Sequence, residues 1–396
     1  MTVRMVVLFM TCLACADAAS AQTLPSAPAS EPAQPPASTA TRPESTIQGS
    51  PVDGIEQWLH KINNKEKTWS PLVGSVASGG GLAFGQALRQ PLFGRTSLTT
   101  DMLLSTKGYH TVGLALEFPK WRKVTFSTQF RYDGLPQEDF FGVGRTSREQ
   151  DHSGYMRQGV DLSLVGAISP RPWLNIEARA GYLHNRLTRG RQNGIADITD
   201  RFDATTAPGL RGESRFAHVG VAATVDRTDD TFFPRGGGFY RGELTNYLGL
   251  DNTAGRTLRL DLDARRYIAL PKLTNHVLAV RSVVSLSRTD GDAPFYLMPR
   301  VGGGTSLRGY DTSRFTDNHA FVLSGEYRWL ALRNLQLVAF ADAGQVAPSV
   351  SSFAFEEFHR SVGGGIRYRF KDAVIRMDVA RGKEGVRWHV GFGPSF

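Results

Sequence analysis

Cysteine is nearly absent from this chain of 396 residues, and its two copies, Cys12 and Cys15, lie close to the start. They fall inside a segment built like an export signal, with a charged start at Arg4, an apolar run up to Cys15 and the small-residue stretch "ASA" at 19–21. We expect residues 1–21 to be removed as a signal peptide. The remaining chain then has no thiol, which excludes disulfides and thiolate metal sites.

Long apolar runs are missing as well. After the signal no stretch of 18 or more apolar residues occurs, which excludes membrane-spanning helices. The sequence also has no G-x-S-x-G elbow of a hydrolase and no GK[ST] phosphate loop. The formal net charge of +9 indicates anionic partners, but in an exported chain it does not point to nucleic acid.

Two short regions follow the signal. Residues 22–51 are rich in Pro, Ala, Ser and Thr and are predicted to be a flexible linker. Residues 52–71 contain "DGIEQWLHKINN", which predicts a short N-terminal amphipathic helix with a capping-box spacing at its start. Its apolar face comprises Ile55, Trp58, Leu59 and Ile62. The helix could plug a pore, lie on a membrane, meet a partner or pack at the mouth of the next domain, and the sequence leaves these roles open.

From residue 72 to residue 396 the hydrophobic period changes to two. In "TLRLDLDARRYIAL", for example, apolar side chains from Leu258 to Leu262 alternate with Arg259 and Asp261. Successive strand side chains point to opposite faces, so each segment has one apolar and one charged face. The segments are about ten residues long, which is the length that a tilted strand needs to cross a bilayer. Tight turns alternate with long loops, as in a transmembrane β-barrel.

The predicted fold is therefore an all-β, antiparallel transmembrane barrel over residues 72–396. Fifteen strand segments can be placed in the sequence. A sheet in lipid must close on itself, and bacterial barrels have even strand numbers, so we predict sixteen. The missing strand is expected either within 133–153 or before Gly79.

The end of the sequence, "VRWHVGFGPSF", alternates strongly. Four residues are predicted to share the outward face and to form a C-terminal barrel signal: Trp388, Val390, Phe392 and Phe396. A terminal aromatic residue on such a strand resembles the recognition signal of bacterial outer-membrane proteins. We therefore expect a bacterial outer-membrane location.

The stretch "GGGTSLRGYD", from Gly302 to Asp311, lies in a long loop between two predicted strands. Strand parity turns Glu326 and Asp342, on the two strands after this loop, toward the lumen. An arginine suits bidentate pairing with carboxylates. The sequence therefore predicts that Arg308, on a loop folded into the lumen, pairs with both.

These stretches resemble the paired motifs of the Omp85 superfamily, in its BamA/TamA (bacterial surface antigen) branch. Arg308, Gly309 and Tyr310 match the tip of the family's sixth extracellular loop, and Glu326 fits its acidic partner. The family's F-x-D-x-G strand motif matches Phe340, Asp342 and Gly344. "DFFGVGR" and "FFPRGGGFY" are also similar to family stretches. Only residues 22–71 precede the barrel, which is too little for a folded POTRA domain, so a barrel-only member is expected.

The resemblance implies an outer-membrane protein that assists insertion or remodelling of barrel proteins or lipids through a weak seam. The seam strands are expected near Val76–Gly85 and Val386–Phe396. Implied partners are outer-membrane lipid and lipopolysaccharide, other outer-membrane proteins or a periplasmic protein. No cofactor and no metal are expected. The alternative is a passive pore or structural barrel with an inward-folded constriction loop. Catalysis is not expected, because inward His218 and His389 have no evident serine or carboxylate constellation.

Overall fold

The alternating segments form one curved antiparallel sheet in the computed structural model of the protein. The structure describes residues 69–190, 194–210, 212–251, 255–291, 294–370, 373–393 and 396. The predicted signal peptide and linker, and the predicted helix up to residue 68, lie outside the described residues. Among those described, no helix is both long and apolar enough to cross a membrane.

Sixteen strands make up the barrel, and each is antiparallel to the strand before it. A two-residue strand in a loop, Ala196–Asp197, also joins the sheet and pairs in parallel with Ser153 and Gly154. The first eight are β1 Trp69–Gly74, β2 Ala83–Pro91, β3 Ser97–Ser105, β4 His110–Glu117, β5 Val124–Phe140, β6 Ser153–Arg171, β7 Leu174–Arg189 and β8 Glu213–Asp226. The others are β9 Gly237–Gly249, β10 Arg256–Ala269, β11 His276–Asp290, β12 His319–Leu332, β13 Leu335–Ala347, β14 His359–Phe370, β15 Ala373–Gly382 and β16 Gly385–Phe392. The predicted all-β barrel of sixteen strands is confirmed.

The strand that could not be placed from the sequence is β1, which has six residues and lies before Gly79. Residues 69–71 were assigned to the helical segment, and this assignment is wrong because they pair with β2 from Trp69↔Leu88 onward. The first seam strand is accordingly β1 rather than the expected stretch Val76–Gly85. The region 133–153 contains no additional barrel strand, because β5 and β6 are long strands of 17 and 19 residues joined there by a loop.

The barrel nearly closes between β1 and β16, which lie next to each other. Backbone ladders join every consecutive pair from β1–β2 to β15–β16. Within the described residues no ladder pair joins β1 to β16. We call this place the seam.

The two faces of the sheet are inverted relative to a soluble protein. The outward face carries exposed apolar residues such as Val219 and Val221 of β8 and Leu164 of β6. The inward face carries fully buried arginines: Arg259, Arg265, Arg281, Arg328 and Arg367. Alternation of this kind places lipid against every second side chain and charge in the lumen.

Connections differ in length at the two ends of the barrel. The end with the short connections is called the turn side, and the opposite end is called the loop side. The loop side carries the longest connections, at 141–152, 190–212 and 291–318. Their apolar residues pack with the strand ends into a buried cluster that includes Phe140, Phe216 and Phe295. This cluster covers part of the loop-side mouth.

Candidate functional site

The described part of the β11–β12 connection, residues 294–318, is called the clasp loop, and it runs down inside the barrel. Near its two ends the loop pairs with itself, because Arg300–Val301 forms an antiparallel ladder with Phe315–Thr316. Gly302 has a φ of +128°, and a Cβ there would lie 2.2 Å from the Asp311 carbonyl oxygen. Only glycine permits this turn, which brings the tip around Arg308 to the lumen wall.

Arg308 contacts both of the carboxylates that were predicted to face the lumen from the alternation of side chains along their strands. Its Nε and Nη2 donate to the two oxygens of Asp342 at 2.9 and 2.6 Å, and its Nη1 donates to Glu326 Oε1 at 2.5 Å. The backbone N–H of Arg308 also donates to Asp342, at 3.2 Å. All three side chains are buried. The planar guanidinium thus uses its fork geometry on two neighbouring strands at once.

The strand register explains why one arginine can reach both acids. Asp342 of β13 lies opposite Ser324, and Glu326 of β12 lies opposite Phe340. The two carboxylates are therefore diagonal neighbours on the lumen face, with about 7–8 Å between their Cα atoms. The guanidinium fills the space between them and lies over the Phe340 ring, with Cζ 3.4 Å from the ring centroid.

Further lumen charges complete a balanced network around Arg308. Arg328 donates to Glu326 at 2.8 Å, and Arg367 pairs with Asp378 at 2.6 Å and approaches Glu326 at 3.6 Å. Burial by itself lowers the pKa of the Arg308 guanidinium, but the carboxylates of Asp342 and Glu326 outweigh it and raise that pKa. Arg308 therefore stays charged.

The other motif residues fit the tip of the clasp loop closely. A Cβ on Gly309 would lie 2.5 Å from both the Gly382 backbone nitrogen and Ser361 Cβ, so the tip touches the wall directly. Tyr310 is buried in an apolar cluster, and its hydroxyl accepts the backbone N–H of Lys383 at 3.3 Å. A Cβ on Gly344 would meet Val301 of the clasp loop at 3.0 Å. The glycines are thus sites of close approach.

A second set of contacts ties the clasp loop to β16 and was missed from the sequence. His389 Nε2 donates to the Arg308 carbonyl oxygen at 2.7 Å. Arg387 donates to both oxygens of Asp311, at 2.6 and 2.9 Å. Parity had already turned Arg387 and His389 inward. Their partners, the Arg308 carbonyl oxygen and the Asp311 carboxylate, lie on a loop whose path no periodic pattern reports.

The C-terminal segment divides at Gly393. Trp388 and Val390 face outward with exposures of 73% and 70%, and Phe392 is half-buried. Phe396 was expected on this same face, and that placement needs correction because Phe396 is 2% exposed. Its ring lies in the lumen against Arg328, whose Cζ is 4.9 Å from the ring centroid.

His218 has close polar neighbours, contrary to expectation. Its Nε2 lies 3.2 Å from Asp161 Oδ2 and 3.5 Å from Ser163 Oγ, and all three residues are buried. In a catalytic triad the acid binds one ring nitrogen and the nucleophile the other. Here one nitrogen faces both groups, so the arrangement is that of a buried polar cluster. The described residues contain no group of three potential metal ligands.

Solved structures of other proteins share this fold. No curated protein matches the sequence. The fold is similar to that of BamA from Haemophilus ducreyi lacking POTRA domains 1–3, with a TM-score of 0.63, 15% identity, and coverage of 83% of this chain and 70% of that one. It is also similar to CdiB from Acinetobacter baumannii, with a TM-score of 0.51, 13% identity, and coverage of 82% and 58%. CdiB from Escherichia coli gives a TM-score of 0.51, 12% identity, and coverage of 86% and 70%.

The family assignment comes from the sequence itself. The profile of the Omp85 superfamily domain matches residues 104–396, which span the barrel from the end of β3 to the last residue. The match covers the clasp loop and both strands that bind Arg308. The chain is therefore an outer-membrane β-barrel that belongs to the Omp85 superfamily.

Proposed function

We propose that this barrel assists the insertion or remodelling of outer-membrane proteins or lipids by opening between β1 and β16. The observation that carries the proposal is the seam. Every other neighbouring pair of strands shares a ladder, whereas β1 and β16 share none among the described residues. Unpaired strand edges are templates on which another strand can pair.

The two strands at the seam are poorly equipped to hold it shut. β1 has only six residues and contains Pro71, which lacks a backbone donor. β16 has eight residues and ends before Gly393, whose φ is +85°. Both strands are shorter than β11 and β12, which have 15 and 14 residues. Fewer backbone bonds make separation here less costly than elsewhere in the wall.

The clasp loop is in a position to control this opening. It contacts β16 from inside through His389 and Arg387, and it is anchored to β12 and β13 through Arg308. Moving β16 outward therefore requires breaking the contacts from Arg387 to Asp311 or moving the loop with the strand. In this proposal the clasp loop links the seam to β12 and β13.

A cysteine pair across the seam tests the proposal. Residues 22–396 contain no cysteine, so introduced pairs are free of competing thiols. One cysteine is placed in β1 and one in β16, in several combinations, and the oxidised protein is reconstituted into liposomes. The assay follows the folding rate of a test barrel added from urea. We expect the reduced protein to accelerate the folding of the test barrel. Oxidation should abolish this acceleration, and reduction should restore it.

A matched control uses the adjacent ladder. Ser70→Cys with Ala87→Cys joins β1 to β2 at a registered pair, so it adds a disulfide without touching the seam. This control is expected to remain active when oxidised. Equal activity of the oxidised seam variants and the reduced protein would contradict the proposal, as would equal loss in the control.

The alternative function is a passive pore. Its support is the polar lumen, in which the clasp loop forms the constriction near Arg281 and Thr305, with 3.1 Å between Arg281 Nη1 and the Thr305 carbonyl oxygen. The apolar cluster at the loop-side mouth argues against an open channel. Planar-bilayer recording separates the two functions. Steady, ion-selective conductance without accelerated insertion would favour the pore.

A further inference from the structure

The turn side of the barrel carries a ring of exposed basic side chains. Each of the six described turns contains or adjoins at least one Lys or Arg that is exposed to solvent. We call this set the belt: Arg95, Lys120, Arg122, Lys123, Arg171, Arg227, Arg235, Lys272 and Arg333. The described residues of these turns contain two acidic side chains, Asp229 and Asp230. Two more adjoin the turns: Glu117, which pairs with Arg89, and Asp226, which accepts from Thr228.

These two aspartates are already used by their own turn. Asp229 accepts the backbone N–H groups of Arg235 and Gly236 at 2.8 and 3.1 Å. Asp230 accepts those of Phe232 and Phe233 at 2.7 and 2.8 Å and pairs with Arg369 at 2.9 Å. They fix the shape of the longest turn, and they do not form ion pairs with the belt.

The belt itself is free of ion pairs within the described part of the chain. Two of its members lie instead over tryptophan rings: Arg122 over Trp121, with 5.4 Å to the centroid, and Arg227 over Trp173, with 4.3 Å. Arg235 donates to the Thr274 carbonyl oxygen of the next turn. Most of the positive charge on this rim is therefore available to a ligand outside the protein.

Exposed aromatic side chains lie at the same level as the belt. Phe93 and Trp121 are 69% and 63% exposed, and Trp173, Trp329 and Phe370 are also exposed. Aromatic girdles mark the depth of the lipid headgroups around a barrel. Long basic side chains at this depth extend along the apolar surface and present their charges to the phosphates.

We propose that the belt binds the phosphate groups of anionic phospholipids in the leaflet next to the turns. The charges are spread over turns all around the barrel, which fits lipid that surrounds the protein on every side. A protein partner would cover one patch of about 800 Å² and would leave most of the ring unoccupied. The loop side has no such excess of basic side chains, because the exposed acidic residues Glu356 and Glu357 lie there together with Arg148 and Lys383.

Tryptophan quenching by brominated lipid measures directly whether the barrel surface prefers anionic to zwitterionic phospholipid. The full protein is reconstituted in mixtures of phosphatidylcholine with dibrominated phosphatidylglycerol, and the relative binding constant for lipid at its surface is obtained from the quenching curve. Each basic group near an anionic surface contributes up to about fivefold in affinity. We expect phosphatidylglycerol to be preferred by about threefold to tenfold. This preference should be smaller in about 0.5 M salt, because salt screens the attraction between exposed charges.

Variants that remove basic charges locate the effect, and the first turn variant and the rim control are matched because each removes three. The turn variant carries Lys120→Gln, Arg122→Gln and Lys123→Gln, and a second one carries Arg95→Gln and Lys272→Gln on two other turns. The rim control carries Arg148→Gln, Arg360→Gln and Lys383→Gln, which are exposed on the loop side. All must migrate as folded barrels on unheated gels. The preference should fall in both turn variants and persist in the rim control.

Three outcomes would overturn the proposal. They are no preference in the unmodified protein, an unchanged preference in both turn variants, and an equal loss in the rim control, which would show that the turns hold no preferred phosphate site. The proposal rests on the outer-membrane location but not on seam opening. Its failure is therefore distinguishable from failure of the insertion assay.

Discussion

Arg308→Ala removes the central cation of the lumen clasp. In this variant Glu326 keeps Arg328 and Arg367 as partners. Asp342 keeps, among the described residues, the Ser361 hydroxyl at 3.2 Å and the backbone N–H at position 308. It therefore becomes a buried carboxylate with no cation bound to it. Breaking a buried charge pair from one side costs about 3–5 kcal/mol, and the remaining hydrogen bonds put Arg308→Ala near the lower limit.

Urea unfolding of the barrel in liposomes measures this free energy, and migration of the unheated protein on gels gives an independent reading of heat resistance. Arg148→Ala, at an exposed position on the loop side, is the control and should stay within about 0.5 kcal/mol of the parent. Adding Asp342→Asn to Arg308→Ala should recover part of the loss, because the uncompensated charge disappears. A change of under about 0.5 kcal/mol in Arg308→Ala would refute the role of the clasp in stability.

Three further variants test neighbouring contacts. Gly309→Ala should destabilise by about 1–3 kcal/mol in the same urea assay, because its Cβ meets backbone and side-chain atoms at 2.5 Å, whereas Gly325→Ala, with nothing within 4 Å, should not. Arg387→Gln should weaken the attachment of the clasp loop to β16, where the His389 contact remains, and speed cleavage of the loop in limited proteolysis; unchanged cleavage would contradict the coupling. Phe396→Ala should lower the stability of the barrel refolded in vitro by about 3–5 kcal/mol, since a buried ring is lost. If Phe396→Ala lowered the amount of folded barrel in cells but left the stability in vitro unchanged, Phe396 would act in recognition of the chain only.

The period-two pattern predicted the barrel because one physical rule, that a strand side chain points opposite to its neighbour, assigns every residue a face. That rule was sufficient for the inward positions of Glu326, Arg328 and Asp342. It failed for β1, whose six residues are too few to show a period and include a proline. It also failed past Phe392, since Gly393 turns the chain with a φ of +85° and ends the alternation.

Contacts across strands were harder to predict than faces. Asp161 and His218 lie on β6 and β8, and they meet across Gly181 of β7, whose added Cβ would lie 2.6 Å from His218 Nε2. The absence of a side chain at that glycine makes the contact possible. Register between strands is set by loop lengths and pairing, which a single sequence does not display. The contacts of the clasp loop with β16 could not be predicted, because no periodic pattern reports the path of the loop.

Amide hydrogen exchange in lipid nanodiscs tests the central claim that the wall is weakest at the seam. Exchange rates of β16 amides are compared with those of β11, which has ladders on both sides. The population of the locally open state falls exponentially with its free energy, so a difference of about 1.4 kcal/mol appears as a tenfold difference in exchange rate. We expect β16 amides that point toward β1 to exchange at least about tenfold faster than β11 amides. Equal protection of the two strands would contradict a seam that opens.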